Sequence, residues 1–92
     1  MTADVLRRAV RLANPAGLHL RPAAAVAKRA QSFAATVTVL SGERRADGKS
    51  VTALLMLAAL PDTELVVEAE GEGAAEALET VCALLADPGD GQ

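Results

Sequence analysis

Tryptophan and tyrosine are missing from this chain, and Phe33 is its one aromatic residue. Alanine supplies 21 of the 92 residues, so core volume must come from 13 leucines, nine valines, Phe33 and two methionines. That suffices for one two-layer core and not for two, and residues 1–92 read as a single domain. One cysteine, Cys82, excludes an internal disulfide and fits a reducing cytoplasm. With a single histidine far from it in sequence, no metal-ligand set is apparent. No run of about 18 apolar residues is present to span a membrane. Met1-Thr2-Ala3-Asp4-Val5 lacks the basic region and apolar run of a signal peptide. An excess of Lys and Arg is absent too: the net charge is −3, which argues against a nucleic-acid partner. These absences point to a soluble cytoplasmic protein, and nothing present demands a metal, a nucleotide cofactor or an oligomer.

The patterning that is present divides the chain into short elements. Val5 to Ala13 alternates, with Leu6, Val10 and Leu12 on one face, and Arg8 is the misfit. Asn14-Pro15-Ala16-Gly17 is a turn cluster. From Leu20 to about Phe33 the spacing becomes helical through Ala23, Val26, Ala27 and Ala30, with Pro22 in the first turn. Thr36 to Leu40 reads as a strand, Ser41-Gly42 as a turn, and Glu43 to Asp47 as a partner strand. Ser50 is placed to N-cap an apolar helix over Val51–Leu57, which Pro61-Asp62 ends. Leu65, Val67 and Ala69 mark another strand. A last helix puts Ala74, Ala77, Leu78, Val81, Leu84 and Leu85 on one stripe, and Glu72, Glu76 and Glu79 near its start complement the helix dipole. Residues 87–92 read as a frayed tail. The order is βαββαβα. It implies an α+β fold, a four-stranded antiparallel sheet with helices on one face. Strand order is not contained in the pattern.

His19, the only histidine, lies in Asn14-Pro15-Ala16-Gly17-Leu18-His19-Leu20-Arg21-Pro22-Ala23. An unperturbed imidazole titrates near pH ~6.5 and serves as a nucleophile near neutrality. The first N–H groups of a helix are unpaired, and its dipole favours an anion there. Pro22 has no N–H, so the expected backbone donors are those of Leu20, Arg21 and Ala23. Arg21 adds a guanidinium that suits phosphate oxygens. An in-line nucleophile beside local positive charge is what phosphoryl transfer asks of a protein. The plainer reading is a surface or capping histidine.

Ser50 is the second candidate, either as a helix cap or as a phosphorylation site at a helix start. Leu18, Leu20, Leu54, Leu55 and Met56 are candidates for an apolar docking patch, against the reading that each is core. Cys82 reads as an inert packing residue. Arg44 and Arg45 read as part of a solvated turn.

Gly17-Leu18-His19-Leu20-Arg21-Pro22-Ala23 resembles the Gly-Leu-His-x-Arg-Pro-Ala signature of the HPr family. These are histidine phosphocarriers of the phosphoenolpyruvate-dependent phosphotransferase system. Asp47-Gly48-Lys49-Ser50-Val51 resembles the family's second motif, around a regulatory serine. The likeness runs from about residue 4 to 86. It implies an open-faced β-sandwich, with three helices on one face of a four-stranded antiparallel sheet. It implies that His19 is phosphorylated on Nδ1 by phosphorylated Enzyme I and that the phosphoryl passes to a histidine of an EIIA-type domain. Arg21 would steady the phosphate. Ser50 would be the target of an HPr kinase/phosphorylase in some bacteria, with a transcriptional regulator as a further partner. Partner docking would use Leu18, Leu20, Thr52 and Leu55, around the histidine loop and the middle helix. Leu20 stands where the family often has a small residue or Thr, and Thr52 where a large apolar side chain is common; both bear on partner choice. The resemblance implies a stoichiometric relay, a monomer and no catalyst. A nitrogen-branch (NPr-like) carrier, a regulatory module working through phosphorylated Ser50, and a small structural domain are the alternatives.

Overall fold

The computed structural model describes residues 4–88. Met1 to Ala3 of the leader reading and residues 89–92 of the tail reading lie outside the described residues. The elements are β1 (Val5–Arg11), α1 (Leu20–Gln31), β2 (Thr36–Ser41), β3 (Arg44–Asp47), α2 (Val51–Met56), β4 (Glu64–Glu70) and α3 (Ala74–Ala86). The order βαββαβα and the α+β class hold, and the sheet is four-stranded and antiparallel throughout, in the order β1-β4-β2-β3.

Register explains which residues face the helices. Leu6, Arg8 and Val10 stand opposite Ala69, Val67 and Leu65, and Val37 and Val39 continue the first two rows across β2. Directly paired residues share a face, so these rows point at the helices and bury Val37, Val39, Leu65, Val67 and Ala69. The other face carries Arg7, Glu68, Thr38 and Asp47 in one row and Ala9, Val66, Leu40 and Arg45 in the next. Arg7 and Glu68 form an ion pair there.

Arg8, out of pattern in the sequence, lies on the helix-facing side of an edge strand. Only an edge leaves room for a guanidinium to reach water. The same edge position leaves Leu6 exposed, while Leu12, farther along the chain, is buried. β1 ends at Arg11, short of Ala13, because the Ala13 N–H turns to the carbonyl of Leu85 in α3 (3.1 Å).

The helices follow their local signals with two corrections. Ser50 caps α2, its Oγ accepting the Ala53 N–H at 3.1 Å. But α2 stops at Met56, well before Pro61-Asp62, because Ala58 adopts a left-handed φ of 52°. α1 stops at Gln31, two residues before Phe33, where the Ser32 hydroxyl donates to the Arg29 carbonyl (2.6 Å). α3 packs over β1, β4 and β2, α2 sits beside β3, and α1 contacts both α2 and α3. Ala23, Ala27, Ala30, Ala74 and Ala77 are buried, so alanine permits close helix approach instead of merely diluting the core. Methionine adds no core volume among the described residues: Met56 is 70% exposed. Phe33 is half-buried at the core margin.

Candidate functional site

The histidine loop is built from the turn outward. Asn14 is buried; its Oδ1 accepts the Ala16 N–H (2.8 Å) and its carbonyl accepts the Gly17 N–H (2.9 Å). Gly17 has φ +77°, a conformation that favours glycine. Leu18 then drops into the core at 4% exposure, and its N–H donates to the Ala59 carbonyl (3.0 Å). The loop therefore rests on the α2–β4 connection. Pro61 Cδ and the Ala59 carbonyl oxygen wall the space beside Gly17.

His19 follows as the N-cap of α1, in extended conformation (φ −99°, ψ −169°). Its side chain makes no capping hydrogen bond, and the residue is exposed. Its carbonyl accepts the Ala23 N–H at 3.0 Å. Ala23 is therefore not an open donor for an anion: its N–H closes the first helical turn, which corrects the expectation of three backbone donors. The Leu20 N–H, one position into the helix, has no partner among the described residues. Arg21 occupies the next position, exposed. Ring, helix start and guanidinium thus share one exposed end of α1.

The apolar surface beside this end differs from the expected patch. Leu18 and Leu54 are core residues, so neither is available for docking. Leu20 is 62% exposed and Met56 and Leu60 are each 70% exposed, with Leu55 and Thr52 exposed on α2. Leu60 was not distinguishable in the sequence, where it stands isolated between Ala59 and Pro61. The Ala59 carbonyl, a backbone group, had no signal there at all.

Ser50 lies away from His19. The Gln31 side chain at the far end of α1 donates to the Lys49 carbonyl (2.8 Å), and Lys49 Nζ donates to the Phe33 carbonyl (2.8 Å). Ser50 therefore neighbours the C-terminal end of α1, and His19 its N-terminal end. Arg44 is not merely solvated: its Nη1 donates to the Met56 carbonyl at the end of α2 (3.2 Å). Cys82 is buried against the core, and burial pushes its thiol pKa up, with Arg8 opposing. Among the described residues no group of three or more His, Cys, Asp or Glu is placed to hold a metal. None of the described helices is long and apolar enough to cross a membrane.

An open-faced α+β sandwich presenting an exposed, uncapped histidine at a helix start has the form of a small phosphocarrier. Comparison with known proteins makes the class specific. The family described as "PTS HPr component phosphorylation site" matches residues 6–87. The phosphocarrier protein NPr of Shewanella violacea is 38% identical over 80 residues, 87% of this chain and 88% of that protein. The phosphocarrier protein HPr of Haemophilus influenzae is 42% identical over 69 residues, 75% of this chain and 81% of that one. The crystal structure of HPr from Bacillus anthracis superposes with a TM-score of 0.84 at 27% identity, covering 88% of this chain and 96% of the other. The chain belongs to the HPr family and is an HPr-type phosphocarrier of the phosphotransferase system.

Proposed function

We propose that this chain is a stoichiometric relay in which His19 takes a phosphoryl group from phosphorylated Enzyme I and delivers it to a histidine on an EIIA-type domain. The observation that carries the reading is the unencumbered, exposed ring of His19 at the N-terminus of α1. The Nδ1 lone pair forms a P–N bond as the bond to the donor breaks and its electron pair returns to the donor. The second transfer repeats the exchange, with His19 as the leaving group. Arg21 and the Leu20 N–H offset the negative charge of the phosphoryl oxygens near the helix start. The exposed Leu20, Thr52 and Leu55 serve as the docking rim, joined by Met56 and Leu60. The chain works as one domain, as a monomer in the cytoplasm, without catalysing a reaction of its own.

The likeness to an NPr supports a second reading, service in a nitrogen branch with different acceptors. Ser50 is proposed as a regulatory site, phosphorylated with ATP by an HPr kinase/phosphorylase and then read by a transcriptional regulator. The test is intact mass after incubation with phosphoenolpyruvate and a bacterial Enzyme I, with His19→Ala beside the wild type. One acid-labile phosphoryl on the wild type alone is expected. Uptake by His19→Ala overturns the assignment. An acid-stable phosphoryl made only with ATP supports the Ser50 reading instead.

A further inference from the structure

The segment that seats the histidine loop is itself fastened by two arginines from other strands. At its start α2 ends on Met56, and this six-residue helix has no basic residue in its own last turn. Arg44 Nη1, from the far edge strand β3, supplies the positive charge by donating to the Met56 carbonyl (3.2 Å). The chain then reverses through Ala58 at φ 52°. At its end Arg11 Nη1 donates to the Asp62 carbonyl (2.9 Å), and the Asp62 N–H donates to the Leu12 carbonyl (2.9 Å). Between these ties the Ala59 carbonyl holds the Leu18 N–H at 3.0 Å, one residue before His19. Arg11 and Arg44 form no ion pair among the described residues. Both guanidiniums are directed at backbone carbonyls of this one segment.

We infer that Arg44 is a positioning residue for His19, acting through the α2–β4 connection: it anchors the end of α2 so that the Ala59 carbonyl stays where Leu18 needs it. The inference rests on His19 being the phosphoryl acceptor only for its consequence in transfer; the anchoring itself is independent of that role. Without the anchor the connection loosens, Leu18 loses its hydrogen bond more often, and the ring samples heights unsuited to in-line transfer. Partner docking on Met56 and Leu60 is disturbed less, because both side chains already project into solvent.

The test compares Arg44→Gln, Arg44→Lys and Arg45→Gln, the last removing the same charge one residue away. Amide exchange at Leu18 is measured by NMR without any phosphoryl donor. Phosphorylation by Enzyme I is followed as separate kcat and KM for each variant. Arg44→Gln is expected to speed Leu18 exchange about fivefold, the loss of one exposed charge-assisted bond, and to lower kcat more than it raises KM. Arg44→Lys restores part of both effects, and Arg45→Gln leaves Leu18 exchange unchanged. Unchanged Leu18 exchange in Arg44→Gln overturns the inference, as does a change confined to KM, which would make Arg44 a direct docking contact. A wild type that takes no phosphoryl removes the relay reading, while the exchange data still decide the anchoring.

Discussion

Replacing Gly17 with alanine probes the seat of the histidine loop directly. A Cβ at Gly17 would lie 2.7 Å from the Ala59 carbonyl oxygen and 3.4 Å from Pro61 Cδ. The first distance is below van der Waals contact with a backbone atom that cannot swing aside as a side-chain tip would. The residue also holds φ +77°, and a left-handed conformation costs an L-residue about 1–2 kcal/mol. Relief comes by lifting the loop, which breaks the Leu18 N–H bond to Ala59 and loses about 1 kcal/mol more. The expected destabilisation is therefore about 2–3 kcal/mol, lowering Tm by roughly 10–20 °C for a domain of this size. Thermal unfolding followed by circular dichroism reads the loss, and amide exchange at Leu18 reports whether the loop has lifted. A loss under about 1 kcal/mol with Leu18 exchange unchanged would refute the claim that the loop rests on the α2–β4 connection.

Ala58→Gly should stabilise the protein by about 0.5–1 kcal/mol, because relief of the left-handed alanine outweighs the added freedom of the unfolded chain; a fall in Tm would show that the Ala58 methyl is needed for packing. Ser50→Ala should cost about 1 kcal/mol by removing the cap on Ala53, whereas Ser50→Asp keeps a capping oxygen and should unfold near the wild-type temperature. Equal losses for the two would argue against capping. The raised pKa of Cys82 predicts slow alkylation of the native thiol and fast alkylation in denaturant. Because the folded thiol ionises at higher pH than the unfolded one, its contribution to stability is full below the ordinary thiol range. That contribution is lost as pH rises from that range through the higher pKa of the folded thiol. A Cys82→Ala variant with the same alkaline loss of stability as the wild type would remove the thiol from that account.

The apolar patch shows where pattern reading reaches its limit. Leu18, Leu20, Leu54 and Leu55 are chemically alike, and each lies beside a motif. Leu18 and Leu54 point inward and Leu20 and Leu55 outward. For α1 the distinction was legible, since Ala23, Val26, Ala27 and Ala30 recur at helical spacing and all are buried. For α2, six residues are too few for a periodic stripe, and no periodicity governs the loop that carries Leu18. Ala23 shows a related limit. Its place in the first turn suggests an open N–H, yet in a helix that starts at Leu20 it stands four residues after His19. Once His19 is the N-cap, the His19 carbonyl takes that N–H.

What the sequence determined by itself were the local decisions: the order of seven elements, the Ser50 cap, the turns at Asn14-Pro15-Ala16-Gly17 and Ser41-Gly42, and the two motifs that marked His19 and Ser50. Each depends on neighbours a few residues away, through helical period, strand alternation or a side chain bonding its own backbone. The tertiary structure alone decided the strand order β1-β4-β2-β3, the place of Arg8 at an edge, and the Ala59 carbonyl beneath Leu18. Those depend on pairing between segments about 26 to 65 residues apart. Backbone groups carry no residue identity, so a carbonyl that meets a distant N–H leaves no mark in the chain until the fold brings the two together.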